Sequence, residues 1–331
     1  MEDKNILLCY DSNYNIQGQV TIYSLLENTN NKINFHIIHD DPDNYKNISP
    51  KIINHKNLDS LNFYKFIKRE DVEFPNFDES HMTEATYYRL FLGDYLPESV
   101  KNIMYIDPDI ICINNYDKIF QTTFENLNKS EFVISARTEH FEEGNSETSK
   151  RLELTKNKYF NAGVTFINYQ RWVEKKYTEN LTNHMNYLGE RVMWFDQDVL
   201  NSYLNGKYTE LPTELNFTDI NLTISDVERE AIFYHYWGKK KPWTVKGFLF
   251  YGESFYQRVY RSIFEENYHI VHRYKKDSLK HFFIFVFTLK IFRLKSPIRF
   301  IKNFIFSFGD WYEKKWKISG VRCRQLFIFK T

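Results

Sequence analysis

Two carboxylates interrupt a run that otherwise reads as one buried strand: Ile103-Met104-Tyr105-Ile106-Asp107-Pro108-Asp109-Ile110-Ile111-Cys112-Ile113. No other feature restricts the fold as much. A carboxylate buried without an ion pair, hydrogen-bond donors or a metal is strongly unfavourable, and two of them one residue apart also repel each other. A divalent cation removes both problems at once. Pro108 stiffens the motif, because the residue before a proline is held in extended geometry. Spacing alone decides nothing in a chain with 43 acidic residues, since Asp41-Pro42-Asp43 and Asp196-Gln197-Asp198 repeat the pattern. Asp41-Pro42-Asp43 runs on into Asn44-Tyr45-Lys46-Asn47, which reads as a solvated turn. The apolar flanks single out Asp107 and Asp109.

Short apolar segments alternate with helical ones over the first 245 residues. Residues 6–9 read as a strand that ends at Tyr10-Asp11-Ser12-Asn13-Tyr14, and Val20, Ile22, Tyr23, Leu25 and Leu26 follow with helical spacing. Residues 33–38, 103–106, 132–135, 163–167 and 231–236 read as further strands, and 86–95 as a helix. This alternation predicts an open α/β sheet with parallel strands at its centre. Ligands bind such sheets beyond the carboxyl ends of the strands, where Asp11 and Asn13 and then Asp107 and Asp109 fall. At 331 residues, with 42% hydrophobic and 18% aromatic residues, the chain can build one large domain with an appendage or two modest ones. Only 11 Gly and 8 Pro argue against a sandwich of many tight turns.

Neither GxGxxG nor GxxxxGK[ST] occurs, so no dehydrogenase or P-loop signature is present. A phosphate-handling α/β protein without a glycine loop needs another source of positive charge, and a metal with a lysine supplies it. Cys9, Cys112 and Cys323 lack metal-ligand spacing and read as reduced structural residues, which favours the cytoplasm. The first ten residues do not form a secretory signal pattern.

The net charge of +1 hides an asymmetry. Residues 271–331 carry 15 basic and 3 acidic residues, a net of +12, and the other 270 residues carry −11. Within this tail the run 282–289 is uncharged but far shorter than a membrane span. Ile298, Ile301, Ile305 and Phe308 recur at helical spacing, with Lys295, Arg299 and Lys302 on the opposite side. The pattern fits an interfacial helix on an anionic membrane surface. A docked helix with a solvated basic face is the plainer alternative, and no nucleic-acid-binding motif accompanies the charge.

Six segments in order resemble glycosyltransferase family 8: Leu8 to Tyr14, Thr86 to Leu90, Tyr105 to Asp109, Tyr159 to Val164, Phe195 to Asn201, and His235 to Trp243 with its Gly238 and Lys241-Pro242-Trp243. They span residues 5–243 and are most similar to bacterial lipopolysaccharide α-glucosyl- and α-galactosyltransferases. The resemblance implies a GT-A fold, a Rossmann-like mixed sheet flanked by helices, over residues 1–245. A basic, aromatic, helical appendage would follow over 246–331. It implies a retaining enzyme that uses a UDP-sugar and Mn²⁺ or Mg²⁺, with Asp107, Asp109 and His235 as metal ligands. Two hard carboxylates and one imidazole suit a divalent ion acting as Lewis acid for a diphosphate leaving group. By itself His235, amid Phe233, Tyr234, Tyr236 and Trp237, would read as a core histidine.

The same resemblance gives Asp11 and Asn13 to uracil and ribose, with Tyr14 stacking on the base; a plain Asx turn is the alternative. Arg89 would contact the donor sugar, the alternative being a structural salt bridge. Asn161, Ala162 and Gly163 would line the hexose unless they merely start a strand. Gly238 would permit close backbone approach, and Lys241 would place charge on the β-phosphate, with Lys239 and Lys240 solvated. Asp196 would bind donor hydroxyls and Gln197 would lie beside the anomeric carbon; Asp198 reads as structural. An amide is a poor nucleophile, which favours front-face attack over a glycosyl-enzyme. Catalysis would then rest on the metal, Lys241, Arg89, Asp196, Gln197 and positioning. The expected reaction moves glucose or galactose to a saccharide or glycolipid acceptor, such as lipopolysaccharide or lipooligosaccharide, on the cytoplasmic face of the inner membrane. No residue of the polar stretch 137–156 can be assigned to the acceptor. A UDP-sugar-binding module without catalysis is the rival; a metal-dependent hydrolase would need a second positioned carboxylic acid.

Overall fold

The computed structural model describes residues 4–45, 47–75, 83–139, 146–156, 158–218, 224–236, 238, 240–248, 252–266, 268–270, 275–293, 297–298 and 300–305. Trp237, Lys239, Lys295, Arg299, Phe308, Cys323 and residues 140–145 lie outside them. The chain divides into two compact units. One is Met1–Phe217 with Ala231–Phe233, and the other is Thr218–Glu230 with Tyr234–Thr331.

The first unit is built on a seven-stranded mixed sheet. Its strands are β1 (Lys4–Tyr10), β2 (Ile33–His39), β3 (Leu58–Lys65), β4 (Asn102–Ile106), β6 (Ile134–Thr138), β7 (Phe160–Asn168) and β8 (Thr209–Glu210), in the order β3-β2-β1-β4-β7-β6-β8. A further strand, β5 (Ile110–Cys112), pairs with β9 (Phe233–His235) in a separate two-stranded sheet. β1, β2, β3 and β4 run parallel, whereas β7 is antiparallel to both β4 and β6. The expected parallel centre is therefore present, and an antiparallel pair of contacts extends it.

Each strand alternates its side chains between two cores. Leu7, Cys9, Ile103 and Tyr105 face one of them, with Trp172, Leu181 and Met185. Ile6, Leu8, Tyr10, Met104 and Ile106 face the other, with Leu25, Leu26, Phe120 and Phe124. Burial on both faces explains why these strands read as apolar runs without alternation.

Three expectations need correction in detail. The run 103–113 is not one strand, because Pro108 and Asp109 turn the chain and β4 and β5 join different sheets. The strand placed at 132–135 forms at Ile134–Thr138 instead, since the Phe132 carbonyl is taken by the Arg171 guanidinium. The helix at 86–95 is a 3₁₀ segment, Glu84–Phe91, followed by a short α-turn, Leu92–Tyr95. β3 gave no sequence signal: its side chains are half-buried on an edge, so polar and apolar residues mix.

In the second unit, helix Glu253–Phe264 and helix Lys275–Phe287 are the longest elements. Ile291 and Phe300 form a small core with Phe282, Phe285, Val286 and Phe304. Asn303 reaches back to the Phe248 carbonyl and to Glu253. Ile298, Ile301 and Ile305 are exposed, as are Phe283, Phe287, Leu289 and Phe292. No helix among the described residues is long and apolar enough to cross a membrane.

Candidate active site

The site forms where the strand order reverses in the sheet. β1 continues to β2 on one side and pairs with β4 on the other, so the carboxyl ends of β1 and β4 lie at the switch point where open α/β sheets bind ligands. Asp11 follows β1, and its two oxygens accept from the backbone and side-chain nitrogens of Asn13 at 3.0 and 3.1 Å. This is the Asx turn that the sequence allowed, and Asp40 braces it by accepting from the Ser12 amide at 2.9 Å. Burial, together with the charges of Asp109, Asp11 and Asp107, pushes the Tyr14 hydroxyl well above its ordinary range. Asp41 and Asp43 stay at the surface around the 3₁₀ turn Pro42–Asn44, as a solvated turn requires.

The turn between β4 and β5 is fixed from below. Thr21, on helix Asn15–Glu27, donates to the carbonyls of Pro108 and Ile110 at 3.0 and 2.9 Å. The Asp107 amide donates to the Gly163 carbonyl at 2.8 Å. Asp107 Oδ1 accepts from Arg89 Nη2 at 2.8 Å and from the Tyr105 hydroxyl.

Arg89 is buried, and every part of its guanidinium is used. Besides Asp107, it donates through Nη1 to the Ala162 carbonyl, and Nε lies 2.7 Å from Asp196 Oδ2 in an ion pair whose angle falls short of a hydrogen bond. The guanidinium carbon stands 3.7 Å from the centre of the Tyr105 ring. Burial pushes the Asp196 carboxyl up to about 7, with Arg89 opposing that rise. Of the two readings of Arg89, the salt bridge is what the structure shows: a buried guanidinium that joins Asp107, Asp196 and the Ala162 carbonyl.

A bulge in β7 prepares that peptide. Arg137 pairs with Asn161 and Ala136 with Thr165, so residues 162–164 bow out of the β6 ladder. Backbone groups released this way need other partners. Gln197 Oε1 accepts from the Ala162 amide at 2.9 Å, and Arg89 takes its carbonyl. Asn161 accepts from the Gly163 amide and from buried Asn216, both at 2.9 Å, and donates to Glu139 at 2.7 Å. Asn161, Ala162 and Gly163 are thus a shaped bulge and not a plain strand start. Asp198 is fully buried, and it accepts from Arg151, Tyr159 and the amides of Met193 and Trp194. That ties down the start of helix Phe195–Leu204, a structural role as expected.

β9 carries His235, and its first residue, Phe233, belongs to the sheet unit and accepts from the Phe217 amide at 2.9 Å. One ligand atom each from Asp107, Asp109 and His235 lies within 4.8 Å of the others. Two carboxylates and an imidazole at that separation fit a hard or borderline divalent cation. Within the second unit, Gly238 has φ +70°, a left-handed conformation suited to glycine, with open space where a Cβ would project. Lys241 donates to the Tyr236 carbonyl, and its own carbonyl accepts from the Thr244 amide at 2.9 Å. A Cβ on Gly247 would sit 1.9 Å from that carbonyl, so position 247 must be glycine for this turn to close.

Residues 5–247 match the family model for glycosyl transferase family 8. The chain belongs to glycosyltransferase family 8. Among its relatives, the lipopolysaccharide 1,2-glucosyltransferase of Escherichia coli is 26% identical over 259 residues, covering 73% of this chain and 74% of that protein. The lipopolysaccharide 1,3-galactosyltransferase of Salmonella typhimurium is 28% identical over 179 residues, about half of either chain (50% and 51%). In structure the family 8 chain resembles the galactosyltransferase LgtC, solved with donor and acceptor sugar analogs. The TM-score is 0.64 at 20% identity, over 78% of this chain and 96% of that one. That likeness establishes the GT-A type of α/β fold. The protein is a glycosyltransferase.

Several residues of this family 8 site escaped the sequence reading. Tyr105 and Tyr159 sit inside the matched segments, but a buried tyrosine among apolar neighbours looks like core until its hydroxyl is seen to have a partner. Thr21, Glu139 and Asn216 come from distant parts of the chain and carry no local signal.

Proposed function

We propose that the protein is a retaining, metal-dependent hexosyltransferase that moves glucose or galactose from a UDP-sugar to a saccharide acceptor of lipopolysaccharide, lipooligosaccharide or a related surface glycan. The observation that carries this reading is the Asp107, Asp109 and His235 cluster beside the Arg89–Asp196 pair. Asp107, Asp109 and His235 would hold Mn²⁺ or Mg²⁺, whose charge stabilises the departing diphosphate. Because Oδ1 of Asp107 already accepts from Arg89 and Tyr105, its other oxygen has the capacity left for coordination. Asp11 and Asn13 bind uracil and ribose, Tyr14 covers the base, and Lys241 with Gly238 serves the β-phosphate. Asn161, Ala162, Gly163 and Asp196 surround the hexose, and Arg89 positions Asp196 against it.

Gln197 is neutral, and its carbonyl oxygen already accepts from the Ala162 amide, which supports front-face attack over a covalent intermediate. The acceptor hydroxyl then approaches on the side from which UDP departs, and a phosphate oxygen takes its proton. Residues 1–245 form the catalytic domain, and 246–331 associate with the anionic cytoplasmic face of the inner membrane. Exposed Phe283, Phe287, Phe292 and Ile298 in that region support the second part.

The relatives that act on lipopolysaccharide favour a surface-glycan acceptor. The test is a panel of UDP-sugars with Mn²⁺: UDP should raise the melting temperature only with metal and not with EDTA, and one UDP-hexose should release UDP with sugar transfer and an α-anomeric NMR signal. UDP binding without turnover of any UDP-sugar would leave the binding-module alternative. Absence of any shift by UDP and Mn²⁺ would remove the site assignment.

A further inference from the structure

We propose that Tyr159 is a positioning residue that imposes an amide, in one orientation, at position 197. Tyr159 is buried and donates its only proton to Asp198 Oδ1 at 2.8 Å. Asp198 can only accept there, and its other oxygen is filled by Arg151 and by the amides of Met193 and Trp194, at 2.6, 2.7 and 2.8 Å. With its proton committed, the Tyr159 oxygen can only accept from Gln197, and Gln197 Nε2 donates to it at 3.1 Å. The far end of the amide is fixed just as strictly. The Ala162 backbone N–H can only donate, and Gln197 Oε1 accepts from it at 2.9 Å. Flipping the amide would set donor against donor at Ala162 and acceptor against donor-spent hydroxyl at Tyr159.

The chain Gln197 to Tyr159 to Asp198 therefore has one direction, set by the arginine-bound carboxylate at its end. Its output is Ala162: Gln197 holds the amide and Arg89 the carbonyl, so the first residue of the β7 bulge is gripped on both sides. A carboxylate at 197 could keep the Ala162 bond but would face the Tyr159 oxygen with a second acceptor. The catalytic weight of this arrangement rests on the transferase reading above; the direction of the hydrogen bonds does not.

A double-substitution cycle on the full chain without donor tests the inference. Gln197→Glu should lower the melting temperature by roughly 4 °C beside Tyr159, and by less than about half of that in the Tyr159→Phe background, where the acceptor clash is gone. The charges of Asp196, Asp198, Glu139, Arg89 and Arg151 are present in both backgrounds and cancel in the comparison. Equal losses would overturn the proposal. Should Gln197→Glu fail to fold, Gln197→Met replaces it: its loss should again be smaller beside Tyr159→Phe, because the Nε2 partner is already missing, and additive losses overturn the idea. As a kinetic readout, Tyr159→Phe should lower kcat roughly tenfold while KM for the UDP-sugar changes less than about twofold. A raised KM with kcat unchanged counts against it. If no UDP-sugar turns over, the transferase reading fails while the melting cycle still decides the role of Tyr159.

Discussion

Arg89 is the side chain on which the site depends. A guanidinium taken out of water costs several kcal/mol, which its partners must offset. Asp196, Asp107, the Ala162 carbonyl and the face of Tyr105 together do so, and burial is outweighed: the guanidinium is held above its ordinary value. Asp196 shows the opposite balance, since burial carries its carboxyl up to about 7 against the pull of Arg89. A group raised above its unfolded value near 3.9 contributes stability that is complete below about pH 4 and is lost as pH rises toward 7. The metal-free protein and its Asp196→Asn variant should therefore differ most in melting temperature near pH 4, and the wild-type advantage should shrink steadily up to about pH 7. An advantage that widens over that window would show that ion pairing with Arg89, and not burial, governs Asp196. At this scale the sequence named Arg89 and Asp196 as candidates, but Arg89 could be read as sugar contact or as salt bridge. Only the distances to Asp107 and Asp196 reveal the salt bridge.

At the scale of elements, irregular pieces place the chemistry. Arg89 comes from a 3₁₀ segment, Ala162 from a β-bulge, and the aspartates from a turn between strands of two sheets. Regular structure satisfies its own backbone; irregular structure borrows side chains to do so. Thr21 is such a loan, holding the carbonyls of Pro108 and Ile110 beneath the turn. Thr21→Val keeps the shape and removes both bonds, so it should cost about 1–3 kcal/mol in stability. It should also weaken Mn²⁺ binding, read as a smaller metal-induced melting shift, because the turn carrying Asp107 and Asp109 loses its support. An unchanged Mn²⁺ titration would mean that the contacts of Asp107 with Arg89, Tyr105 and Gly163 hold the turn without Thr21. Most of the strands and helix Asn15–Glu27 were legible from apolar runs and helical spacing. The bulge and the 3₁₀ segment were not, since their geometry answers to partners far away in sequence.

For the whole molecule, the charge split between the first 270 residues and the tail is a sequence fact, while its structural boundary is not. A cut after residue 271 would look natural from composition, yet it removes Asn303, Phe300 and helix Lys275–Phe287 from the second unit and strips Phe248 of a hydrogen-bonded neighbour. Such a truncation should lower the melting temperature. Truncation after residue 305 keeps those groups, and it still removes Lys314, Lys315, Lys317, Arg322, Arg324 and Lys330. If those charges mediate the proposed membrane association, this shorter deletion keeps UDP-sugar hydrolysis and loses salt-sensitive binding to anionic liposomes. Unaltered liposome binding would move the association to the exposed Phe283, Phe287 and Phe292 face or remove it. What the sequence by itself determined is the family and the α/β class, because apolar periodicity and ordered motifs are local and survive without coordinates. What only the tertiary structure decided is how those residues act on one another. The guanidinium shared by Asp107, Asp196 and Ala162, and the one-way chain through Tyr159, depend on ångström distances and hydrogen-bond direction between segments far apart in the chain, and no local pattern encodes these.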